Sequence, residues 1–185
     1  MTRDSERIYD EFLVAAAITG DRPAVQRLVA RWHPRLWRHA WRVLGDAERA
    51  KDMVQESWID ILKGMGRLDD VAAFPAWAFR IVTRRCQRAF AARAWPALAA
   101  DDDEVEPHFE QAADTAAECA VDVSRVLAAI GRLPAAQRAA MALFYLEDLS
   151  VAEIAIATDV PPGTVKTRLL HARRKVRALL EGDDS

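Results

Sequence analysis

Residues Leu149–Leu169 read LSVAEIAIATDVPPGTVKTRL, and this stretch predicts two short helices joined by a tight turn. Ser150 is placed to cap the first helix, and Glu153, three residues later, completes the pattern of a capping box. Pro161 and Pro162 suit the first turn of a second helix. Four apolar residues are spaced to bury against each other across the turn: Ile154, Val160, Val165 and Leu169. The stretch therefore predicts a helix-turn-helix.

The second helix of this motif is strongly basic. It carries Lys166, Arg168, Arg173, Arg174, Lys175 and Arg177. No acidic residue lies between Gly163 and Leu180. Since a helix-turn-helix commonly places its second helix in the major groove of DNA, we expect these cations to face DNA.

Composition favours an all-α protein. Of the 185 residues 51% are hydrophobic, there are only 7 glycines, and no stretch alternates apolar and polar residues as a half-buried strand does. No apolar run is long enough to cross a bilayer, and residues 1–6 lack the core of a signal peptide. We therefore expect a cytoplasmic protein without membrane insertion.

The charges are distributed unevenly along the chain. The formal net charge is −2, yet nine acidic residues and no Lys or Arg lie between Ala94 and Ser124, so the remainder carries +7. This pattern indicates a polyanion-binding protein with a solvated connector. We predict two small helical domains, 1–93 and 122–185, joined by an acidic flexible linker, 94–121, with the helix-turn-helix in the second domain.

The N-terminal domain is predicted to contain four helices. The first runs from Glu6 to about residue 19, and Asp21 and Asp46 are placed to cap the second and third. Pro34 is expected to kink the second helix, and the glycines within 63–70 indicate a loop. The fourth begins near residue 74. In the C-terminal domain, helices are predicted over 123–132 and from residue 133 to about residue 146, ahead of the helix-turn-helix.

The predicted fourth helix carries a second set of cations. Arg80, Arg84 and Arg88 are four residues apart and share one face, and Arg85 flanks them. A phosphate backbone would relieve the repulsion between these guanidinium groups. Near the start of the helix, Phe74 and Trp77 are candidates to stack on unpaired bases. The alternative is a solvated arginine face with the aromatic residues in the core.

The predicted third helix presents a polar face. Asp52, Gln55 and Glu56 lie three and four residues apart, opposite the apolar Val54 and Trp58. Such a face is either a docking patch for a basic partner helix or a solvated surface.

Neither an enzyme nor a metal site is indicated. Cys86 and Cys119 are isolated, so neither a zinc site nor a disulfide is predicted. The four histidines have no metal-ligand spacing, no nucleophile is paired with a base, and there is no phosphate-binding loop. We predict no catalytic residue, no metal ligand and no cofactor.

Five motifs in order resemble a known family. They are DMVQESW (52–58), FPAWAFRI (74–81), an acidic connector, LP…QR (133–138) and EIA…GTVKTRL…AR (153–173). The series closely resembles the extracytoplasmic-function (ECF) sigma factors of the bacterial sigma-70 family, over roughly residues 8–181. Relatives in that family commonly carry Asn where Arg84 stands and Gly where Asp159 stands.

The resemblance implies a sigma factor that binds core RNA polymerase, directs it to promoters and helps to melt the minus-10 element. Polymerase contacts on the beta-prime clamp helices would come from Asp52, Gln55, Glu56 and Trp58. The minus-10 element would be read by Phe74, Trp77, Arg80, Arg84, Arg85 and Arg88, and residues 63–73 would capture a flipped-out base. The minus-35 element would be read by Gly163, Thr164, Lys166, Thr167, Arg168, His171, Arg173 and Arg174.

Other partners follow from the same resemblance: the beta flap of the polymerase, promoter DNA and an anti-sigma factor. One alternative is a helix-turn-helix transcriptional regulator that acts without stable polymerase binding, but it leaves the third and fourth helices unexplained. Another is a decoy that only binds an anti-sigma factor, which has no need of two arginine sets.

Overall fold

The computed structural model describes residues 3–93, 125, 126 and 128–182, and the regular secondary structure in these ranges is entirely helical. The longer helices are α1 Arg3–Ile18, α2 Arg22–Leu44, α3 Ala47–Gly64, α4 Phe74–Arg93, α5 Ala135–Tyr145, α6 Val151–Thr158 and α7 Pro162–Gly182. The all-α prediction and the helix-turn-helix, formed by α6 and α7, are confirmed. The predicted linker lies outside the described residues.

Helix ends follow the local signals in the sequence. The Asp21 carboxylate accepts a hydrogen bond from the Ala24 amide, and Asp46 caps α3 in the same way. Gly45 ends α2 with a φ of 69°, a left-handed conformation that glycine adopts without strain. Two predictions were wrong in detail: α1 begins at Arg3 rather than Glu6, and much of the expected loop is helical.

The expected loop is shorter than its glycines indicated. Helix α3 continues to Gly64, and a 3-10 helix follows over Met65–Arg67. A second 3-10 helix, Val71–Ala73, is capped by the Asp70 carboxylate and leads directly into α4. The glycines therefore mark a change of helix type rather than an extended segment. Helix α2, in which Pro34 was expected to cause a kink, continues through that residue as a single helix.

The core is continuous through both halves of the chain. In the N-terminal half, the Trp32 ring lies edge-on to Phe74 and Phe79, with centroid distances of 5.1 and 5.8 Å. Helix α4 packs along α6, and α2 packs on α5. Buried side chains of the C-terminal half, such as Leu143 and Ile154, belong to the same cluster. The N-terminal helices (α1–α4) and the C-terminal helices (α5–α7) are thus packed against each other.

Buried arginine contacts reinforce this junction. The Arg138 guanidinium donates to the carbonyls of Gly131 and Leu133 in its own half, and to the Arg42 carbonyl at the end of α2 at 2.8 Å. Arg35 donates to Glu147 at 2.6 Å, and the Glu147 side chain is 4% exposed. Because hydrogen bonds to charged groups are strong when buried, these contacts hold α5 on α2.

His39 in α2 is buried as a neutral imidazole. Its Nε2 lies 2.9 Å from the Thr83 hydroxyl oxygen, and that hydroxyl donates its only proton to the Phe79 carbonyl. Nε2–H is therefore the donor, and Nδ1 is buried without a partner among the described residues. Burial, with a contribution from Arg42, lowers the pKa of His39 to about 3.

This imidazole makes stability depend on pH. The unfolded chain takes up a proton on His39 below pH 6.5, whereas the folded chain does so only near pH 3, so stability falls as the pH decreases through this window. Between pH 7.5 and 5 we expect a loss of about 2 kcal/mol from this residue. Urea denaturation at both pH values measures it. His39→Gln should reduce that loss and the exposed His171→Gln should not; an equal loss in all three proteins would contradict the assignment.

Candidate nucleic-acid interface

Helix α6 and the turn after it are built as the sequence indicates. Ser150 accepts a hydrogen bond from the Glu153 amide, and the Glu153 carboxylate accepts one from the Ser150 amide, which completes the capping box. Asp159 ends the helix with φ 57° and ψ 43°. This left-handed conformation strains most residues that carry a Cβ, although Asp tolerates it better than most.

Helix α7 buries one face and exposes the other. Val165, Leu169, Ala172 and Val176 are buried and recur every three or four residues. The opposite face therefore carries the charge. Six residues of the predicted minus-35 set are exposed: Gly163, Lys166, Thr167, His171, Arg173 and Arg174. The other two, Thr164 and Arg168, are half-buried.

Arg173 differs from its neighbours because it is engaged within the protein. Its Nε donates to the Tyr145 hydroxyl at 2.8 Å. Its guanidinium also lies 5.6 and 5.7 Å from the ring centroids of Phe144 and Tyr145. Arg173 thus fastens α7 to the end of α5.

The arginines of α4 are divided between two neighbours. Arg80 and Arg84 point to the turn of the helix-turn-helix, where their Nη2 atoms lie 3.0 and 3.1 Å from the Asp159 carboxylate. Hydrogen bonds from Arg84, with a smaller contribution from Arg80, hold the pKa of Asp159 below its usual value. Arg88 is exposed on the same face.

Arg85 points towards α3 rather than towards the turn of the helix-turn-helix. It forms ion pairs with Glu56 and Asp60 of α3, at 2.6 Å for Asp60. One predicted DNA contact and one predicted polymerase contact, Arg85 and Glu56, are therefore bonded to each other in this structure. A residue one position from Arg84 lies 100° around the helix, which explains the different partner.

The aromatic residues near the start of α4 are less accessible than expected. Phe74 is fully buried against Trp32, so its ring is not accessible for the predicted stacking on bases in this structure. Trp77 is half-buried, with its ring 6.2 Å from Phe74. A Cβ added at Gly64 would lie 2.9 Å from the Trp77 ring, which is why glycine fits at that position. Of the two rings, only Trp77 reaches the surface.

The outer face of α3 combines polar and apolar groups. Asp52, Gln55 and Glu56 are exposed, as predicted. Trp58 is 7% exposed and its indole donates to His33 at 3.2 Å, so little of its ring is accessible for the predicted contact with polymerase in this structure. Ile59 and Leu62 are 53% and 41% exposed. Sequence reasoning missed both, although their spacing of four and seven residues from Gln55 places them on its face.

The described residues offer neither a metal site nor a reactive thiol. They contain no cluster of three or more His, Cys, Asp or Glu that could hold a metal ion. Burial raises the pKa of the Cys86 thiol to about 12, which makes it unreactive. Cys119 lies outside the described ranges. None of the described helices has the length and apolar character that a bilayer crossing requires.

Comparison with known proteins agrees with this geometry. Residues 28–96 match the family model for Sigma-70 region 2, and residues 123–176 match the model for Sigma-70, region 4. The ECF RNA polymerase sigma factor SigM of Mycobacterium tuberculosis is 35% identical over 172 residues, which cover 92% of this chain and 84% of SigM. The chain belongs to the ECF sigma factors. The ECF RNA polymerase sigma-E factor of Escherichia coli is 26% identical to this sigma factor over 181 residues, 93% and 94% of the two chains.

Solved structures show the same fold for this sigma factor. CnrH in complex with the cytosolic domain of CnrY superposes with a TM-score of 0.63 at 24% identity, covering 95% of this chain and 99% of CnrH. RpoE in complex with the anti-sigma factor NepR from Bartonella quintana gives 0.64 at 20% identity, covering 85% and 96%.

Proposed function

We propose that this sigma factor positions core RNA polymerase on promoters with two cationic helices, α4 for the minus-10 element and α7 for the minus-35 element. The observation that carries the proposal is the exposed face of α7. It presents Lys166, Thr167, His171 and Arg174, and no acidic residue lies on the helix before Glu181. The two functional units would be residues 1–93 and 122–185.

Helix α7 is suited to duplex DNA. It begins at Pro162, directly after the turn at Asp159, and so occupies the place of the recognition helix in a helix-turn-helix. Lys166 and Arg174 would contact phosphates and set the register, and Arg168 would donate to a guanine edge. Arg173, bonded to Tyr145, would fix the angle of the helix rather than read bases.

Helix α4 is suited to unpaired DNA. Arg80, Arg84 and Arg88 form a stripe for the backbone, and Trp77 offers an aromatic edge beside it. Melting needs no covalent chemistry, only a surface on which unstacked bases are held better than in the duplex. Stacking on an aromatic ring contributes about 1–3 kcal/mol per base, enough to offset the unstacking of a few steps.

The outer face of α3 would dock on the beta-prime clamp helices of the polymerase. Asp52 and Gln55 supply polar contacts, and Ile59 and Leu62 supply the apolar centre that stable interfaces need. The C-terminal helices would bind the beta flap. An anti-sigma factor is a further proposed partner, because the two solved structures reported above are complexes: RpoE with the anti-sigma factor NepR and CnrH with the cytosolic domain of CnrY. RNA synthesis itself would be performed by the polymerase.

Docking is tested by one substitution on α3. Ile59→Asp should weaken binding of the full chain to purified core polymerase about tenfold or more, because it places an unpaired charge at the centre of the interface. Fluorescence anisotropy of the labelled chain measures the affinity. Ile8→Asp is the matched control, since Ile8 is an isoleucine of α1 that is 65% exposed. Equal affinities for the two variants, with circular dichroism unchanged, would refute docking through α3.

A further inference from the structure

The turn of the helix-turn-helix contacts the face of α4 that we assign to the minus-10 element. In the described part of the chain, the polar contacts of the Asp159 carboxylate are with Arg80 and Arg84. The backbone at this position, with φ 57°, is one that glycine adopts more easily than aspartate. Backbone geometry alone would favour glycine at this position, whereas the two arginines give a reason for a carboxylate.

Closed packing of this kind is incompatible with promoter recognition. Promoter positions −10 and −35 are 25 base pairs apart, which is about 85 Å along B-form DNA. In the structure, the turn that precedes α7 lies within 3.1 Å of Arg84. One chain cannot hold both elements while these groups touch. Moreover, a guanidinium N–H that is donated to Asp159 is not available to a phosphate or a base.

We propose that Asp159 acts as an internal phosphate mimic, closing the C-terminal helices over Arg80 and Arg84 and masking the minus-10 face in the chain outside the polymerase. The proposal rests on the proposed function of α4. The group that occupies Arg80 and Arg84 is thus part of the same chain. Promoter binding requires that Asp159 and the C-terminal helices move away from them.

The contact of Asp159 with Arg80 and Arg84, which we call the clasp, is exposed enough to form and break reversibly. The side chains of Arg80, Arg84 and Asp159 are 38%, 45% and 42% exposed, so water and salt compete for them. The Arg35–Glu147 pair between the same two halves is far more buried, with Glu147 only 4% exposed, and opening must separate it as well. Exposed pairs contribute little each, which allows DNA or polymerase to displace them.

Two measurements on the full chain test the clasp. Asp159→Asn keeps the shape and the tolerance for a left-handed backbone but removes the charge. We expect it to bind a labelled single-stranded minus-10 oligonucleotide about fivefold more tightly than the wild type, because loss of two exposed pairs increases the open population by about that factor. Glu48→Gln, an exposed change of equal charge on α3, is the control and should bind as the wild type does.

Opening is followed separately by energy transfer between dyes on Gln26→Cys in α2 and Ala178→Cys in α7, with Cys119 replaced by alanine. Cys86 stays unlabelled because it is buried. Asp159→Asn should lower the transfer at physiological salt, and saturating oligonucleotide should lower it in every variant. Transfer and affinity that both equal those of Glu48→Gln would overturn the clasp.

Oligonucleotide binding also distinguishes failure of the clasp proposal from failure of the proposed minus-10 role of α4. Arg84→Ala in the Asp159→Asn background should weaken binding, since only the DNA contact is then lost. If it has no effect while energy transfer still falls in Asp159→Asn, the minus-10 role of Arg84 is wrong and the clasp stands as an interface. If Arg84→Ala weakens binding but Asp159→Asn does not strengthen it, masking is wrong and the proposed function stands.

Discussion

Replacing Arg84 by alanine is expected to reduce open-complex formation about tenfold or more, while assembly with core polymerase is retained. Arg84 is 45% exposed at the centre of the α4 stripe, flanked by Arg80 and Arg88 one turn away on either side. A single well-placed arginine contact to DNA contributes about 1–3 kcal/mol, and this one would act on the melted strand. Permanganate reactivity of unpaired thymines, measured at saturating polymerase, reports the effect.

Because Arg84 also holds Asp159, the same substitution loosens the closed chain. The loss is therefore best measured in the Asp159→Asn background, where the ion pairs of Asp159 are already absent and the main change is the DNA contact. Arg27→Ala, an exposed arginine on α2, serves as the control. A permanganate pattern that is the same with and without Arg84 would show that α4 does not read the minus-10 element.

The second large effect is expected at α7. Lys166→Ala combined with Arg168→Ala should weaken binding of the full chain to a minus-35 duplex by about tenfold or more near physiological salt. Because we assign Lys166 to a phosphate and Arg168 to a guanine edge, the slope of log affinity against log salt should decrease by about 0.9, the contribution of one neutralised phosphate, and discrimination at one base position should be lost. A decrease of about 1.8 without loss of discrimination would instead place both side chains on phosphates.

Anisotropy titrations at four salt concentrations measure both quantities. Arg27→Ala combined with Lys51→Ala removes the same charge from exposed positions on α2 and α3, and should leave the slope unchanged. Parallel salt plots for the α7 variant and the wild type would rule out α7 as the duplex-binding helix.

Local signals in the sequence were reliable where one residue determines one backbone conformation. The capping box of Ser150 and Glu153 and the caps at Asp21 and Asp46 all occur as predicted. Each depends on hydrogen bonds within a few residues, so no tertiary information was needed.

Side-chain environments were predicted less well where a helix has several neighbours. Helix α4 packs against α2, α3 and α6, so an apolar stripe alone does not tell which aromatic residue reaches the surface. In the structure Phe74 is buried and Trp77 is half-buried. The spacing of Arg80, Arg84 and Arg88 correctly placed them on one face of the helix. The orientation of Arg85 is set by acidic residues of α3, which are too distant in the sequence to be recognised as its partners.

Contacts between the two halves have no local signature. Asp159 lies 75 residues from Arg84, and Glu147 lies 112 residues from Arg35. From the sequence, Asp159 was notable only as an aspartate at a position where relatives commonly have glycine. Its partners became visible only when α6 was placed on α4.

Run-off transcription tests the central claim most directly, namely that two cationic helices of one chain position the polymerase on two separated DNA elements. Purified core polymerase with this sigma factor, on a pool of promoter fragments, should yield transcripts with a defined start site. On a selected promoter, inserting five base pairs between the elements should abolish synthesis, since it turns α7 and α4 to opposite sides of the DNA. Absence of any defined start, or synthesis that is indifferent to the spacing, would contradict the account.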